Sequence, residues 1–481
     1  MNSSKETNYM KNFLPYALAA FLIGIVGGLS TVLGPAFMLD MNLPYNNTTW
    51  TALSQATSTA ACAPILGKLG DIFGRRKTLL LGILVFTLGS ILSALSTSLI
   101  FMIIARFVVG IGSAAITPTV MSYIITEFPP KQIAKGFSIY MLISSAAVIF
   151  GPTLGGIILE LSDWRALMWF SSIVCVIFLL LCFFTLPKQT FIRKPLKNFD
   201  FSGAFFVIAF FSFLLCVPSF GQNFGWTSTP FLVVLTLSLI TLVLLVIAEK
   251  KAKNPILIGS FLARKAFIMP VIILFLTQGL MQTNMTNTIV FVNYTQPTNT
   301  AISGYAISIM YVGMSLGAII LGPLADRFEP KRILSGSLLL TGIGCGTMLL
   351  FSKTTSLFLL ATSLGILGFG LGANATIFMK IVLSNLPAGT AGSGTGIYGL
   401  FRDLAAPFGV AIFVPMFTNE IVRLSANSNE NLSVADIAVN SIHKLAIIEI
   451  VCVAIAVVIV QLLPKIYQDK NYKEIEKQQK N

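Results

Sequence analysis

The sequence predicts an all-α membrane protein that crosses the bilayer many times, and both its composition and its charge pattern support this. Of its 481 residues, 55% are hydrophobic and only 10% are charged, whereas soluble domains carry about a quarter charged residues. Stretches such as 78–104 and 228–248 contain no ionisable residue, and about 20 apolar residues cross the hydrocarbon core as a helix. Barrel strands need only about 9–11 residues, and lipid excludes unpaired backbone amides, so these stretches are predicted to be helices.

Fourteen apolar stretches follow one another along the chain, joined mostly by short connections that hold the charged residues. We expect spans at residues 13–38, 48–69, 78–97, 99–123, 136–160, 165–187, 201–221, 228–248, 267–293, 302–324, 333–351, 356–381, 395–418 and 441–463.

Lys and Arg predict the orientation of these spans, because cytoplasmic connections of membrane proteins are enriched in both. They fall in alternate connections, and the other side holds only Arg165, Lys353, Arg423 and Lys444. We therefore expect an even number of spans and two cytoplasmic termini. The net charge of +14 lies in short loops between spans, so it does not indicate a nucleic-acid partner.

A short sequence occurs twice along the chain. GKLGDIFGRRK covers residues 67–77 and GPLADRFEPKR covers residues 322–332, an offset of 322 − 67 = 255, and each lies between two apolar spans. Duplicated halves with a binding site between them at mid-membrane are a recurrent transporter plan. The predicted division is a cytoplasmic N-terminus at 1–12, a six-helix bundle at 13–187, a linker with two extra helices at 188–266, a second six-helix bundle at 267–463 and a cytoplasmic tail at 464–481.

The first copy of the repeat combines glycines, an acid and a cationic run. It contains Gly67, Asp71, Gly74, Arg75 and Arg76, and the second copy contains Asp326 and Arg327. Glycine permits close helix approach, and an aspartate at a helix end can face the positive N-terminus of a neighbouring helix. The second copy has Glu329 and Pro330 in place of the Gly-Arg pair, so we expect weaker contacts there.

Two further motifs lie inside predicted spans. Arg106 lies in span four, and a charge at membrane depth usually faces a cavity or a partner. Span five contains Gly151, Pro152, Gly155 and Gly156, where small residues allow close helix packing and the proline allows a bend. For Arg106, the alternatives are a structural ion pair or a side chain that snorkels to the outer interface. For span five, the alternative is a generic Gly-rich packing face.

A fourth motif runs from Ser393 to Arg402 and Asp403 in span thirteen. Together the four motifs resemble the major facilitator superfamily, in particular its fourteen-helix drug:proton antiporters, which include Gram-positive tetracycline and quaternary-ammonium exporters. The resemblance covers essentially the whole chain. It implies a major facilitator fold of two six-helix bundles plus two extra central helices, in a bacterial plasma membrane.

The resemblance also implies roles for individual residues. The loop at 67–77 would latch a cytoplasmic gate, with Glu127 as its acidic partner. Arg106 would help to couple proton movement, and the motif of span five would mark an antiporter.

The chain departs from the antiporter pattern in its first span. Members of that group often have an acid there, but alignment on residues 30–33 places Leu29 at that position. Proton coupling would then use another carboxyl group, and the candidates are Asp403, Glu449 and Glu127. A carboxyl group in a cavity of low dielectric favours its protonated form, which suits proton transfer.

Several polar or adaptable side chains within the spans are candidates for lining a substrate cavity, because polar groups in a membrane span usually face the bundle interior. They are Gln55, Gln278, Gln282, Thr286, Tyr305, Tyr311 and Arg402. Ordinary packing explains the same residues.

The sequence thus predicts a secondary active transporter that exports lipophilic or cationic small molecules, such as drugs, antiseptics or antibiotics, by proton-coupled alternating access. An importer or facilitator of a metabolite or organic anion is the alternative, favoured by Leu29 and opposed by the motif of span five. A membrane enzyme or sensor is disfavoured, because the chain has one histidine and no phosphate loop or metal-ligand cluster. We expect a monomer in the lipid bilayer that binds a small molecule and protons and uses the proton gradient without a cofactor or metal.

Overall fold

The chain is helical throughout the part that its computed structural model describes. The described residues are 3–41, 48–129, 132–186, 199–252, 255–257, 265–296, 301–384, 391–427 and 433–463. The long helices within them are α1 Ser3–Asp40, α2 Thr48–Phe73, α3 Arg75–Ala94, α4 Leu99–Glu127, α5 Ile133–Leu161, α6 Trp164–Thr185, α7 Phe201–Phe224, α8 Thr229–Lys251, α9 Lys265–Thr295, α10 Ala301–Arg327, α11 Pro330–Thr347, α12 Leu357–Ser384, α13 Ala391–Asn427 and α14 Val434–Leu462.

Twelve of these helices are long and apolar enough to cross a membrane, judged by length and composition. The two helices outside this group are α2, which is rich in Ser and Thr, and α13, which contains Arg402 and Asp403. The protein is therefore an all-α, multi-pass membrane protein. The count of fourteen spans and the cytoplasmic placement of both termini stay predictions.

Short polar side chains begin several helices by accepting hydrogen bonds from the first free backbone amides. Ser98 caps α4, Asp163 caps α6 and Asp200 caps α7. Ser228 caps α8, and Ser433 forms a capping box with the third residue of α14. These caps explain why the predicted and observed starts of α4, α6, α7 and α8 agree closely.

The helices differ most from the predicted spans at the beginning of α1 and at the end of α13. Helix α1 begins at Ser3, within the segment 1–12 that was predicted as a polar N-terminus, and α13 continues to Asn427, beyond the predicted end at 418. A helix continues as long as its backbone hydrogen bonds do, whereas an apolar window ends where polar residues return. The predicted tail at 464–481 lies outside the described residues.

The contacts divide the chain into two compact units, in which α5 and α13 each contribute to both. Unit 1 comprises residues 1–130, 146–263 and 386–403, and unit 2 comprises residues 131–145, 264–385 and 404–481. The predicted sequential boundaries at 187, 266 and 463 stay a prediction.

The same set of helix pairs recurs inside each unit. In unit 1, α4 packs on α1, α2 and α3, and α6 packs on α1 and α3. In unit 2, α12 packs on α9, α10 and α11, and α14 packs on α9 and α11. The repeat seen in the sequence therefore extends to the packing of both halves, while α7 and α8 pack on each other and α7 also on α2.

Candidate functional site

The end of α2 meets the beginning of α13 through Asp71. Its carboxylate accepts hydrogen bonds from the backbone amide of Gly392 at 2.8 Å and from the amide and hydroxyl of Ser393 at 2.9 and 3.0 Å. The first amides of a helix have no partner within the helix and carry the positive end of its dipole. Asp71 therefore caps α13 with a negative charge. An aspartate that faces the N-terminus of another helix is the arrangement expected from the sequence.

Glycines allow α2 and α13 to approach this closely. A side chain at Gly67 would collide with the backbone at the beginning of α13, and a side chain at Gly396 would collide with the backbone of Ala63. The hydroxyl of Thr395 lies 3.0 Å from the carbonyl oxygen of Pro118 in α4. The glycine-rich motif of α13 thus packs against both α2 and α4.

The cationic run after α2 pairs with the end of α4. Arg75 Nη1 lies 3.0 Å from Glu127 Oε1, and the two side chains are 22% and 45% exposed. Gly74 has a φ angle of 92°, a left-handed conformation that favours glycine, and it turns the chain from α2 into α3. Arg76 lies nearby, with Nη2 3.4 Å from the carbonyl oxygen of Phe183. The gating role of these residues stays a prediction.

The second copy of the repeat forms a local ion pair among the described residues, and Lys331 donates to the carbonyl oxygens of Gln461 and Leu463 at the end of α14. Glu329 pairs with Arg332, three positions later, at 3.3 Å, and Arg327 is exposed at the end of α10. The side chain of Asp326 lies outside the part of the chain whose side chains are described. Unlike Arg75, which reaches α4, the ion pair of this copy stays within the turn that begins α11.

Arg106 is buried in unit 1, and its partners among the described residues are neutral. Its side chain is 3% exposed, and its Nη1 atom donates to Ser30 Oγ at 2.8 Å and to Gln55 Oε1 at 3.3 Å. Its Nη2 atom lies 3.2 Å from the sulfur of Met168. Three helices besides its own thus supply neutral partners to one cation, so a plain structural ion pair is not formed among the described residues. Gln55, a predicted cavity residue, is one of these partners.

The position of the missing first-span acid has an apolar environment. Leu29 is fully buried in a cluster with Met102, Trp164 and Met168. The neighbouring residue Ser30 is the one that contacts Arg106. Leu29 therefore packs in an apolar cluster, and the hydroxyl of Ser30 is the α1 partner of Arg106.

Asp40 lies beyond the predicted first span and interacts with the start of α6. Its Oδ2 atom accepts a hydrogen bond from Trp164 Nε1 at 2.8 Å and pairs with Arg165 Nη1 at 3.1 Å. The hydrogen bond from the Trp164 indole, with the Arg165 guanidinium, holds the pKa of Asp40 below its usual range. These partners give Asp40 a structural role at one end of α1.

Glu449 is the buried acid of unit 2. Its side chain is 0% exposed, and Oε1 accepts a hydrogen bond from Asn284 Nδ2 at 3.0 Å. The thiol of Cys345, in α11, lies beside the same carboxyl group. Oε2 has no hydrogen-bond partner among the described residues.

The other two acids predicted for proton coupling have cationic partners. Asp403 pairs with the adjacent Arg402, whose Nε atom lies 2.8 Å from Asp403 Oδ1, and both side chains are partly exposed. Their positions are about 100° apart around the helix, yet the side chains bend toward each other. Glu127 pairs with Arg75. Glu449 therefore differs from Asp403 and Glu127, because its hydrogen-bond partner is a neutral amide and theirs are cations.

The motif of span five includes one very close helix contact. A side chain at Gly151 would approach Gly28 Cα to 2.6 Å and the carbonyl oxygen of Ile25 to 2.8 Å, so α5 and α1 touch backbone to backbone there. Gly155 is buried, whereas Gly156 has no neighbouring atom within 4 Å of a built Cβ. The side chain of Pro152 lies outside the described side chains.

The remaining cavity candidates lie in unit 2, and their environments differ. Gln278, Gln282 and Thr286 are half-buried along α9, whereas Tyr305 is 62% exposed. The Tyr311 hydroxyl lies 3.6 Å from the sulfur of Met285. Their role in a substrate cavity stays a prediction.

The partners of the buried side chains of Arg106 and Glu449 were not identified from the sequence. Ser30 and Met168 contact Arg106, and Asn284 and Cys345 contact Glu449. Asn284 is fully buried on α9, whereas the predicted cavity residues Gln278 and Gln282 on the same helix are half-buried. The signal available in the sequence was an asparagine within an apolar span, because lipid does not solvate a side-chain amide and the residue must turn toward protein.

The family model of the Major Facilitator Superfamily matches residues 16–220 and 199–410 of this chain. The multidrug resistance protein Stp of Mycobacterium tuberculosis is 25% identical over 402 residues, which cover 82% of this chain and 73% of Stp. The multidrug transporter protein MdtP of Bacillus subtilis is 27% identical over 423 residues, which cover 86% of this chain and 76% of MdtP. The riboflavin transporter RibZ of Clostridioides difficile is 23% identical over 415 residues, which cover 84% of this chain and 87% of RibZ.

A solved structure has the same fold. The crystal structure of a bacterial homologue of the iron transporter ferroportin in an outward-facing state has a TM-score of 0.63 at 12% identity, covering 95% of this chain and 98% of that chain. The family match spans most of the chain, and the repeated helix pairs of the two units agree with it. The chain therefore belongs to the Major Facilitator Superfamily and is a membrane transporter of small molecules, not an enzyme.

Proposed function

We propose that the protein is a proton-coupled exporter of lipophilic or cationic small molecules, including drugs and antiseptics, that works by alternating access. Inward proton flow supplies the energy for outward movement of the substrate. The protein needs no cofactor for this exchange and works as a monomer in the plasma membrane of a bacterium, with both termini in the cytoplasm.

One observation carries the proposal: each unit contains a buried ionisable side chain, Arg106 or Glu449, that has no opposite charge beside it among the described residues. Arg106 has only neutral partners in unit 1, and Glu449 has only neutral partners in unit 2. Burying an unpaired charge costs several kcal/mol or more, so such residues within a membrane are usually functional. We therefore assign Arg106 and Glu449 to the coupling of transport to protons.

The choice of substrate class rests on the relatives and on the span-five motif. Stp and MdtP are both named for multidrug resistance or transport, and the Gly-rich motif at 151–156 resembles that of antiporters. The predicted cavity residues include Tyr305 and Tyr311, whose rings offer apolar contact area with a polar hydroxyl to a bulky ligand.

Uptake or facilitated passage of a metabolite is the second candidate. RibZ, a relative of comparable similarity, is named a riboflavin transporter. Leu29, at the position where antiporters often have an acid, also favours this reading. If riboflavin is the substrate, transport proceeds without any amphiphilic cation.

Everted membrane vesicles test the two candidates directly. A respiration-driven pH gradient is established and its dissipation is followed after addition of ethidium, benzalkonium, tetracycline or riboflavin. Vesicles without the protein and vesicles with an Arg106→Met variant serve as controls. We expect a cationic amphiphile to release protons only in wild-type vesicles.

The opposite result identifies the alternative. If no amphiphile dissipates the gradient while labelled riboflavin equilibrates across the wild-type membrane, the protein is a metabolite transporter. Insertion of every variant is checked by its amount in the membrane fraction, so that lost activity is not confused with lost protein.

A further inference from the structure

Glu449 lies deep inside unit 2, near the middle of α14. It comes 15 residues after Val434 and 13 residues before Leu462, the ends of the helix, which places it about 20 Å from each end at 1.5 Å per residue. Its carboxyl group is fully buried between α14, α9 and α11, where α9 provides Asn284 and α11 provides Cys345.

The groups that face Glu449 cannot neutralise a negative charge. Its titratable neighbours are two thiols, Cys345 of α11 and Cys452 one turn further along α14, and α9 contributes the neutral amide of Asn284. Lys444, of the same helix, is exposed and about 140° around the helix axis from Glu449. With no cation beside it in the described structure, a buried carboxyl group is favoured in its neutral, protonated form.

The packing of α11 on α14 does not by itself require an acid at position 449. The matching position of Cys345 in the first half is Ser90, because 345 − 90 = 255 is the offset of the repeat. Ser90 in α3 lies 3.6 Å from Cys175 in α6, and α3 packs on α6 as α11 packs on α14. The same helix pair is thus joined by two small neutral side chains in unit 1 and by a thiol and a carboxyl group in unit 2.

We propose that Glu449 is the group that takes up and releases the transported proton, and that Asn284 is the residue that positions it. This inference rests on the proposed proton-coupled function. Oε2, which has no partner among the described residues, gains the proton as an O–H bond forms. The carboxylate that remains after proton release is held by the N–H group of Asn284 on Oε1.

A second buried amide extends the polar environment of this site along α9. Asn287 follows Asn284 by three residues, is 0% exposed, and neither polar atom of its side chain has a partner in the described part of the chain. Buried polar groups of this kind are usually hydrogen-bonded to water. Asn287 thus adds a second buried amide, without a partner among the described residues, to the face of α9 that contains Asn284.

Infrared spectroscopy tests protonation without any need for transport. In pH-difference spectra of the purified protein in lipid, the wild type should show the carbonyl band of a buried protonated carboxyl group, which disappears as the pH is raised. Glu449→Gln should lack this band, and Glu449→Asp should shift it. Asp403→Asn, which removes an acid already paired with Arg402, should keep it. A difference spectrum that is the same in wild type and Glu449→Gln overturns the proposal.

Transport in liposomes then separates this inference from the proposed function. With ethidium as the probe, Glu449→Gln should lose accumulation driven by a pH gradient by at least about tenfold, while exchange of ethidium without a gradient continues. Gradient-driven accumulation retained in Glu449→Gln overturns the inference and leaves the proposed function standing. If even the wild type ignores the gradient, the proposed function fails, and the infrared band alone decides whether Glu449 binds a proton.

The positioning role of Asn284 has its own signature. The N–H group that it donates favours the ionised carboxylate, so Asn284→Leu should move the midpoint of the pH profile of transport to higher pH, by about one unit for a hydrogen bond of ordinary strength. Asn284→Gln should restore part of the wild-type profile. An unchanged midpoint with a lower rate at every pH would show that Asn284 supports only the packing.

Discussion

The carboxylate of Asp71 accepts hydrogen bonds from both the backbone amide and the hydroxyl of Ser393, at 2.9 and 3.0 Å, although the two residues are 322 positions apart. Asp71 lies in the last turn of α2 and Ser393 in the first turn of α13, so the contact joins an acid of the repeated sequence to the positive end of another helix. The glycines around it remove the side chains that would keep the helices apart.

Replacing Asp71 by Asn should weaken this contact. The substitution keeps one acceptor but removes the negative charge, and the interaction of a charge with a partly buried helix N-terminus contributes up to about 2 kcal/mol. We expect a melting temperature lower by several degrees and reduced ethidium transport. Glu329→Gln, in the second copy of the repeat, is the matched control and should change neither by much. Equal losses in both variants would contradict a special role for the Asp71 cap.

The Arg75–Glu127 pair should contribute less than the Asp71 cap. Both side chains are partly exposed, and exposed ion pairs contribute about 0.2–1 kcal/mol. A double-mutant cycle of Arg75→Met and Glu127→Gln, followed by thermal melting, should give a coupling energy in that range that decreases with added salt. A coupling energy above about 2 kcal/mol that does not change with salt would mean that the pair is shielded from water in the folded protein.

Arg106 offers a test that separates function from stability. Its charge is buried without an acid beside it in the described structure. A buried charge has a desolvation cost of several kcal/mol that an apolar side chain of similar volume does not have. We expect Arg106→Met to keep or raise the melting temperature while transport is lost. Arg106→Lys should also be inactive, because one ammonium group cannot reach Ser30, Gln55 and Met168 together. Retained transport with a lower melting temperature would identify Arg106 as a structural residue.

Gly151 and Gly156 form a matched pair in one helix. A methyl group at Gly151 would press on the backbone of α1, whereas a methyl group at Gly156 meets open space. Gly151→Ala should therefore destabilise the protein by about 1–3 kcal/mol through overpacking. Gly156→Ala should be neutral or slightly stabilising, because alanine favours a helix by up to about 1 kcal/mol over glycine. Melting curves of both variants check this, and similar values for the two would mean that α1 and α5 separate without cost.

Much of the fold could be predicted from the chain alone, because the apolar runs and the helix caps are local properties. Helix α2 begins at Thr48 and α7 at Phe201, both as predicted. Asp200 illustrates why, since its side chain caps an amide only three residues away. Local patterns were less informative where a helix continues past the apolar run, as at the end of α13, because the backbone hydrogen bonds do not depend on hydrophobicity.

The candidate site could be predicted only in part. The sequence by itself determined the helical membrane class, the repeat, and the short set of charged residues within the spans, since charge and apolar length are read directly from residue types. Only the tertiary structure decided that Asp403 bonds to its neighbour Arg402, that Glu127 pairs with Arg75, and that Glu449 has no cation beside it among the described residues. It also decided that Ser30 is the α1 partner of Arg106. The reason is physical: the environment of a buried charge depends on which helices pack around it and how each is rotated, and those helices are far apart in the chain.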